Sequence, residues 1–171
     1  MLVSKLKLSN GMKVLDVGTG TGILISTLAK AVGISGLVVG VDFAEKMVET
    51  SKRKFSELQN VRFELRNVEE LDYPVGYFDA VTCFGMFPHI ENKERALTKI
   101  HRVLKSKGKF MIAHTLSSKE LRELHSKEAP VIAHDSLPLK VEMSKLLKNS
   151  GFVIDYFEDQ PRSYICISTK Q

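Results

Sequence analysis

The sequence contains no tryptophan, two cysteines and five prolines in 171 residues. Two cysteines cannot build a disulfide framework. Cys83 and Cys166 each stand alone inside apolar, β-type runs and fit no metal or redox spacing, so both are expected to be buried free thiols. No window approaches the roughly 20 apolar residues of a membrane span, and the opening "MLVSKLKLSN" lacks the apolar stretch of a secretory leader. These absences point to a cytoplasmic protein without a membrane partner. Long runs of one charge are missing too. Lysine and arginine exceed aspartate and glutamate by 25 to 20, giving +5, but the two signs are interleaved. "SKRK" and "KSKGK" read as solvated helix and turn faces, which argues against a nucleic-acid partner. At 43% hydrophobic, the chain can bury one good core and hardly two, so residues 1–171 are expected to form a single domain.

What the sequence does have is alternation. Apolar strand-like runs occur at "MKVLDV", "LVVGVD", "VRFEL", "FDAVTCF", "KFMIAH", "FVIDYF" and "SYICIST", with helix-period segments between most of them. The helical segments are "GILISTLAKAV", "AEKMVETSKRKFSEL" and "NKERALTKIHRVL", the last with Leu97, Ile100 and Leu104 on one face. Strand and helix in alternation predict an α/β fold, a three-layer, doubly wound and mostly parallel sheet of seven strands. After the fifth strand, "SSKE" at Ser117 to Glu120 reads as a capping box. Pro138 suits the first turn of a second helix, which Gly151 ends. Only "EDQPR" joins the last two runs, too short for a crossover helix, so they are expected to close the sheet as an antiparallel hairpin.

The densest motif is "VLDVGTGTG", Val14 to Gly22. In a strand, glycine turn and helix, missing β-carbons let backbone amides and the helix N-terminus approach a ligand above the strand's C-terminal end. The dinucleotide pattern G-x-G-x-x-G, counted from Gly18, would need glycine where Ile23 stands, which disfavours NAD. The G-K-[ST] ending of a phosphate-binding loop is also absent, so ATP hydrolysis is disfavoured.

The combination "LDVGTGTG" and "VVGVDFAEKMV" resembles the class I, Rossmann-like S-adenosylmethionine-dependent methyltransferases, from Gly11 to about His114. The resemblance implies that the glycines pass under the methionine half of the cofactor and that Asp42 binds both ribose hydroxyls, a vicinal diol suited to the two oxygens of a carboxylate. Asp42 could equally cap the second helix, and the two roles are compatible. Phe43 matches the position that packs on adenine, and Asn67 with Val68, in "FELRNVEELDY", the position that recognises the adenine edge. The family more often has aspartate where Asn67 stands. Glu69, the next acid, reads as a surface residue. "FDAVTCFGMFPHI" resembles the fourth-strand motif that passes the sulfonium, with Phe84 and Gly85 at the bend. "RVLKSKGKFMIAH" resembles the turn into strand five, with Ser106 and Lys107 in place of Pro-Gly and hence a looser turn. The implied cofactor-facing set is Asp16, Gly18, Thr19, Gly20, Gly22, Asp42, Phe43, Met47, Asn67, Val68 and Phe84.

Methyl transfer from a sulfonium asks mainly for positioning, and a base only when the acceptor is protonated. His89, His114, His125 and His134 are candidate bases, and His101 is expected to face solvent. For each the plain reading is a hydrogen-bonded structural histidine. Their recurrence near the C-terminal edge of the sheet singles out His89 and His114 for acid/base or substrate roles. His125, four residues beyond Leu121 and beside Leu124, is expected to point inward. The spacings fit no standard local metal motif, and no metal is assigned.

No Asn-Pro-Pro-aromatic or Pro-Cys signature of amide or nucleobase methylation occurs in "CFGMFPHI". Met86, Phe87 and Pro88 suggest an apolar rim for a small or lipophilic acceptor, with Phe87 and His125 in the substrate pocket. The Pro-His loop and "HTLSSKELRELH" are similar to a branch near the quinone and small-molecule methyltransferases. The expected function is methyl transfer from S-adenosylmethionine to a small molecule, with S-adenosylhomocysteine as product, by a monomer or homodimer. The alternative is a non-catalytic S-adenosylmethionine-binding subunit or sensor. The family has a longer segment before strand one that closes over the site. Here the segment Thr115 to Leu139, with two helices and stiffening Pro130 and Pro138, is expected to supply that cover.

Overall fold

A computed structural model describes residues 2–126 and 136–171. Its strands are β1 (Lys13–Val17), β2 (Leu37–Asp42), β3 (Val61–Leu65), β4 (Phe78–Phe84), β5 (Leu104–His114), β6 (Phe152–Gln160) and β7 (Ser163–Lys170). They form one sheet in the order β3-β2-β1-β4-β5-β7-β6. β1 to β5 run parallel, and β7 enters antiparallel between β5 and β6. This is the doubly wound α/β sheet with a terminal hairpin that the alternation predicted. The order in which strands are added reverses at β1, with β2 and β3 lying to one side and β4 to the other, so the C-terminal ends of β1, β2 and β4 open onto one crevice, the place where such sheets bind ligands.

The helices are α1 (Ile25–Val32), α2 (Glu45–Lys54), α3 (Lys93–Val103), α4 (Ser118–His125) and α5 (Lys140–Asn149). The central strands are apolar on both faces because helices cover both. Val14, Val38, Ala80, Met111 and Ile167 pack under Ile25, Leu28, Val32 and Val48, together with Val3 and Leu6 of an N-terminal 3-10 turn. On the other face Leu15, Val39, Val81, Phe110 and Cys166 meet Leu97, Ile100, Val103, Met143 and Leu147. Cys83 and Cys166 are both buried and free, as their apolar surroundings implied.

Several local expectations are corrected. β5 begins at Leu104, at the end of α3, so Leu104 belongs to the strand and Val103 completes the buried helix face. Between the pairs Phe78↔Leu104 and Ala80↔Lys109 the strand bulges outward, and Lys107 takes the left-handed φ of 62° where the family uses glycine. The turn is drawn into the strand. Pro138 lies before the N-cap Leu139 rather than inside α5, and its carbonyl accepts the Tyr164 hydroxyl at 2.8 Å. The Thr115 to Leu139 segment therefore holds one described helix, α4, because α5 starts at Lys140. Pro130 and His134 lie outside the described residues. His101 does not simply face solvent: its ring packs edge-on against Phe152 at 5.3 Å, and burial lowers its pKa.

α4 is fastened at its N-terminus. The Ser117 hydroxyl caps the Glu120 N–H, and Glu120 Oε2 accepts from the Ser117 N–H and hydroxyl and from the Arg162 N–H of the β6–β7 turn, the last at 2.9 Å. Ser118 donates its N–H and hydroxyl to the two oxygens of Asp159 on β6. A capping box thus doubles as the bolt that sets α4 on the hairpin. Ser117→Ala is expected to cost about 1 kcal/mol and about 2–4 °C in Tm, with a larger loss for Glu120→Ala, which frees three donors. Thermal unfolding checks this, and equal Tm values for wild type and Glu120→Ala would contradict it.

Candidate functional site

The site grows out of the chain between β1 and α1. β1 ends at Val17, and Gly18, Thr19, Gly20, Thr21 and Gly22 turn the backbone toward α1. Gly20 has φ 52°, the left-handed region that glycine tolerates best. A Cβ built on Gly18 would lie 2.3 Å from Met86 Cγ, so only glycine lets the loop after β4 come this close. At Gly20 and Gly85, by contrast, a Cβ would meet no atom within 4 Å. Both glycines line a cavity of about 320 Å³, with Asp16, Gly18, Thr19, Thr21, Ile23, Leu24, Phe84 and Thr115. A side chain at either glycine would stand in that cavity, so the bareness of the backbone is what keeps it open.

Two carboxylates flank the turn. Asp42, at the end of β2 and only 7% exposed, accepts the Gly20 N–H on Oδ2 at 2.8 Å and the Ala44 N–H on Oδ1 at 2.9 Å. The N-cap of α2 is Ala44, so Asp42 sits before the cap and clamps the glycine turn to the start of α2. Each oxygen keeps one lone-pair direction for a further donor. Beyond Asp42 a second cavity of about 300 Å³ is lined by Phe43, Leu65, Arg66, Asn67 and Glu70. Phe43 is 66% exposed there and free to lie against a planar ligand. Asp42 is hydrogen-bonded to Gly20, which lines the first cavity, and precedes Phe43, which lines the second.

Asp16 is the other carboxylate. It is 2% exposed, and its oxygens accept the hydroxyls of Thr82 at 2.6 Å and Thr19 at 2.8 Å. Burial pushes its carboxyl up to about 6, against the partial relief of the two hydroxyls, and nearby Asp42 adds repulsion. Thr82 was missed from the sequence. The β1–β4 register sets Thr82 beside Asp16, and a threonine in the apolar run "FDAVTCF" was the available signal. Ser51 and Lys54 of α2 were missed as well: they donate to the Gly20 and Thr21 carbonyls at 2.7 and 3.0 Å and hold the turn from behind.

Other expected residues fall elsewhere. Met47 is 40% exposed on α2 and lines neither cavity, and Val68 is buried in the core, which leaves its backbone but not its side chain for contact. Asn67 uses its side-chain carbonyl to cap the following 3-10 turn, accepting the Glu69 N–H at 3.0 Å. Glu69 is tied in by accepting the Asn92 N–H rather than being only surface. Phe87 is 1% exposed and packs into the core with Pro88, so neither forms a substrate rim; the short turn Phe87–His89 folds their side chains inward. His89, by contrast, is exposed.

His114 ends β5 next to the cavity-lining Thr115, and its Nδ1 accepts the Leu116 N–H at 2.9 Å. Burial lowers its pKa, helped by the nearby imidazoles of His89 and His125. His125 is buried, and its ring centroid lies 6.5 Å from that of His89. Leu124 is 45% exposed, so the inward face of α4 is Leu121 and His125 only. His89 and His125 thus lie near His114, whose chain neighbour Thr115 lines the first cavity. Among the described residues no group of three histidines, cysteines or acids is set to hold a metal ion.

The methyltransferase domain family matches residues 8–166. The chain belongs to the class I S-adenosylmethionine-dependent methyltransferases. The ubiquinone/menaquinone biosynthesis C-methyltransferase UbiE of Hydrogenovibrio crunogenus is 33% identical over 157 residues, which is 90% of this chain and 60% of that protein. The demethylmenaquinone methyltransferase of Staphylococcus aureus is 38% identical over 105 residues, 61% of this chain and 44% of its own length. The chain spans about three fifths of the first of these relatives or less of the second. A SAM-dependent methyltransferase structure from Aquifex aeolicus superposes with a TM-score of 0.83 at 23% identity, covering 99% of this chain and 87% of that one. The [4+2]-cyclase SpnF superposes with a TM-score of 0.76 at 24% identity, over 92% and 56% of the two chains. At these identities the superpositions speak for the fold alone. In this methyltransferase the cofactor of the class, S-adenosylmethionine, is a cation at its sulfur, and the buried Asp16 carboxyl stands at the mouth of the glycine turn.

The raised Asp16 pKa has a stability consequence. The folded chain holds this proton to about 6 and the unfolded chain to 3.8, so stability is greatest below the lower value and falls as pH rises between them. The loss amounts to about 3 kcal/mol above pH 6. Asp16→Asn is expected to lack this decline and to melt higher than wild type at pH 7.5, with the gap closing toward pH 4.5. A gap in Tm that is the same at both pH values would contradict the assignment.

Proposed function

We propose that this methyltransferase transfers the methyl group of S-adenosylmethionine to a ring carbon of a small aromatic acceptor of the quinol type. The observation that carries the reading is the buried Asp42 carboxylate, which holds the Gly20 N–H of the glycine turn walling one cavity and directly precedes Phe43, which lines the other. The names of the relatives support the acceptor class: one is a C-methyltransferase of ubiquinone/menaquinone biosynthesis and the other a demethylmenaquinone methyltransferase. Volumes of about 320 and 300 Å³ lie at the lower end of ligand pockets.

The residues divide the work. Asp42 would take the two ribose hydroxyls on its remaining lone pairs, and Phe43 with Asn67 would bracket the adenine. Gly18, Thr19, Gly20 and Gly22 would let the chain lie along the methionine half, with Asp16 supplying negative charge toward its ammonium and sulfonium, and Phe84 walling the methyl position. The bound sulfonium supplies an activated methyl with a neutral leaving group. The chain contributes alignment of acceptor carbon, methyl and sulfur, worth roughly 7–11 kcal/mol in well-ordered cases. A quinol carbon is a better nucleophile when a ring hydroxyl has lost its proton, and exposed His89 is set to pass that proton to water. Burial pushes the Cys166 thiol up to about 12 and the Cys83 thiol higher still, so neither acts as a nucleophile at ordinary pH.

S-adenosylhomocysteine at a hundredfold excess over its Kd is expected to stabilise the fold by about 2.7 kcal/mol, read as a rise in Tm. Asp42→Ala is expected to weaken that binding at least tenfold, because the diol loses charge-assisted partners worth about 1.5–3 kcal/mol. Incubation with S-adenosylmethionine and reduced 1,4-dihydroxynaphthalene is expected to add one methyl group to the acceptor, seen by mass spectrometry. Tight S-adenosylhomocysteine binding without methyl transfer to any reduced quinol would contradict the catalytic reading and leave a non-catalytic binding subunit.

A further inference from the structure

We propose that His114 is a hydrogen-bond donor to an oxygen of the methyl acceptor, through Nε2–H, and not the base that deprotonates it. The inference rests on the quinol reading for its probe, and on the geometry of one backbone amide for its chemistry. The Leu116 N–H can only donate, and it points at His114 Nδ1 at 2.9 Å. Nδ1 must therefore be the unprotonated nitrogen of the neutral ring, which fixes the proton on Nε2. A base needs a free lone pair facing the substrate, and the single lone pair of this ring is committed to Leu116. What the ring offers outward is a donor.

Its surroundings favour that state. The ring is half-buried at the end of β5, and burial, with His89 and His125 nearby, disfavours a positive charge on it. Thr115, the next residue in the chain, lines the glycine-walled cavity, so the strand end delivers His114 beside the space where the methyl would emerge. The Gly85 N–H bonds the Ala113 carbonyl at 2.8 Å, which locks the ends of β4 and β5 together at that point. Among the described residues, the Leu116 amide is the one hydrogen-bond partner of the His114 ring. A neutral donor held in one tautomer suits an acceptor that carries an oxygen next to the carbon to be methylated. When that oxygen gives up its proton, which the proposed function passes to water through His89, it accepts the Nε2–H more strongly, which favours the nucleophilic form of the acceptor ring without any proton leaving His114. The acceptor class is thus narrowed to phenol-like or enol-like molecules with oxygen beside the nucleophilic carbon.

Two substitutions separate donor from base. Asn places its amide where Nδ1 lies, so His114→Asn keeps an acceptor for Leu116 and loses the outward donor. Gln reaches to the Nε2 position, so His114→Gln restores a donor and has no basic nitrogen. With S-adenosylhomocysteine bound, wild type is expected to bind reduced 1,4-dihydroxynaphthalene by calorimetry, His114→Asn at least tenfold more weakly, and His114→Gln within threefold of wild type. Affinity for S-adenosylhomocysteine, unchanged in both variants, serves as the check on folding. In wild type, nitrogen-15 spectra are expected to show His114 as the Nε2–H tautomer at neutral pH, with the Nε2 resonance moving when the dihydroxynaphthalene is added. The inference is overturned if the ring carries its proton on Nδ1, if His114→Asn binds the probe as wild type does, or if the probe binds without moving Nε2. Failure of wild type to bind the probe while binding S-adenosylhomocysteine would overturn the quinol reading and this inference with it.

Discussion

One carboxylate ties the site together. Asp42 sits where β2 stops, and its two oxygens hold the Gly20 amide of one loop and the Ala44 amide of the next. That clamp joins the glycine turn to the start of α2, and within the turn the Thr19 hydroxyl adds its bond to Asp16. Ser51 and Lys54 then grip the turn's carbonyls from α2. The arrangement reconciles opposite needs. The backbone must be bare to admit a ligand, and glycine is the residue least able to hold its own conformation. Support therefore comes from neighbours behind the turn, and the face toward the cavity stays empty.

The cost of keeping that face receptive is visible at Asp16. A buried carboxyl whose direct partners among the described residues are two hydroxyls contributes poorly to folding, as the rise of its pKa to about 6 reflects. Such a group makes sense where a cationic ligand completes it, and S-adenosylmethionine brings both an ammonium and a sulfonium. Three histidines from separate elements, His89, His114 and His125, are brought near one another by the ends of β4 and β5 and by a helix bolted to the terminal hairpin.

Much of this was legible in the order of residues. Apolar runs of five to seven residues separated by amphipathic stretches fix a parallel sheet, and "EDQPR" was too short to be anything but a hairpin connection. The glycine turn and Asp42 were readable because their chemistry is local: the spacing alone distinguishes them from a dinucleotide or triphosphate loop. Contacts made across strands were hidden. Thr82 reaches Asp16 only because β4 pairs beside β1, and nothing near Thr82 in the chain announces that. Phe87 shows the reverse error. An aromatic after a strand at the mouth of the site looks like a pocket wall, but a 3-10 turn rotates it into the core. Met47, 40% exposed on α2, lines neither cavity.

The central claim is that Asp42 and the glycine turn together hold the ribose and methionine halves of S-adenosylmethionine. A crystal structure of the protein with S-adenosylhomocysteine tests it most directly. The account predicts the two ribose hydroxyls within hydrogen-bond distance of the two oxygens of Asp42, with the sulfur in the cavity walled by Gly18, Gly20 and Gly85. A ligand whose ribose lies away from Asp42, or a glycine turn occupied by a phosphate group in its place, would contradict it.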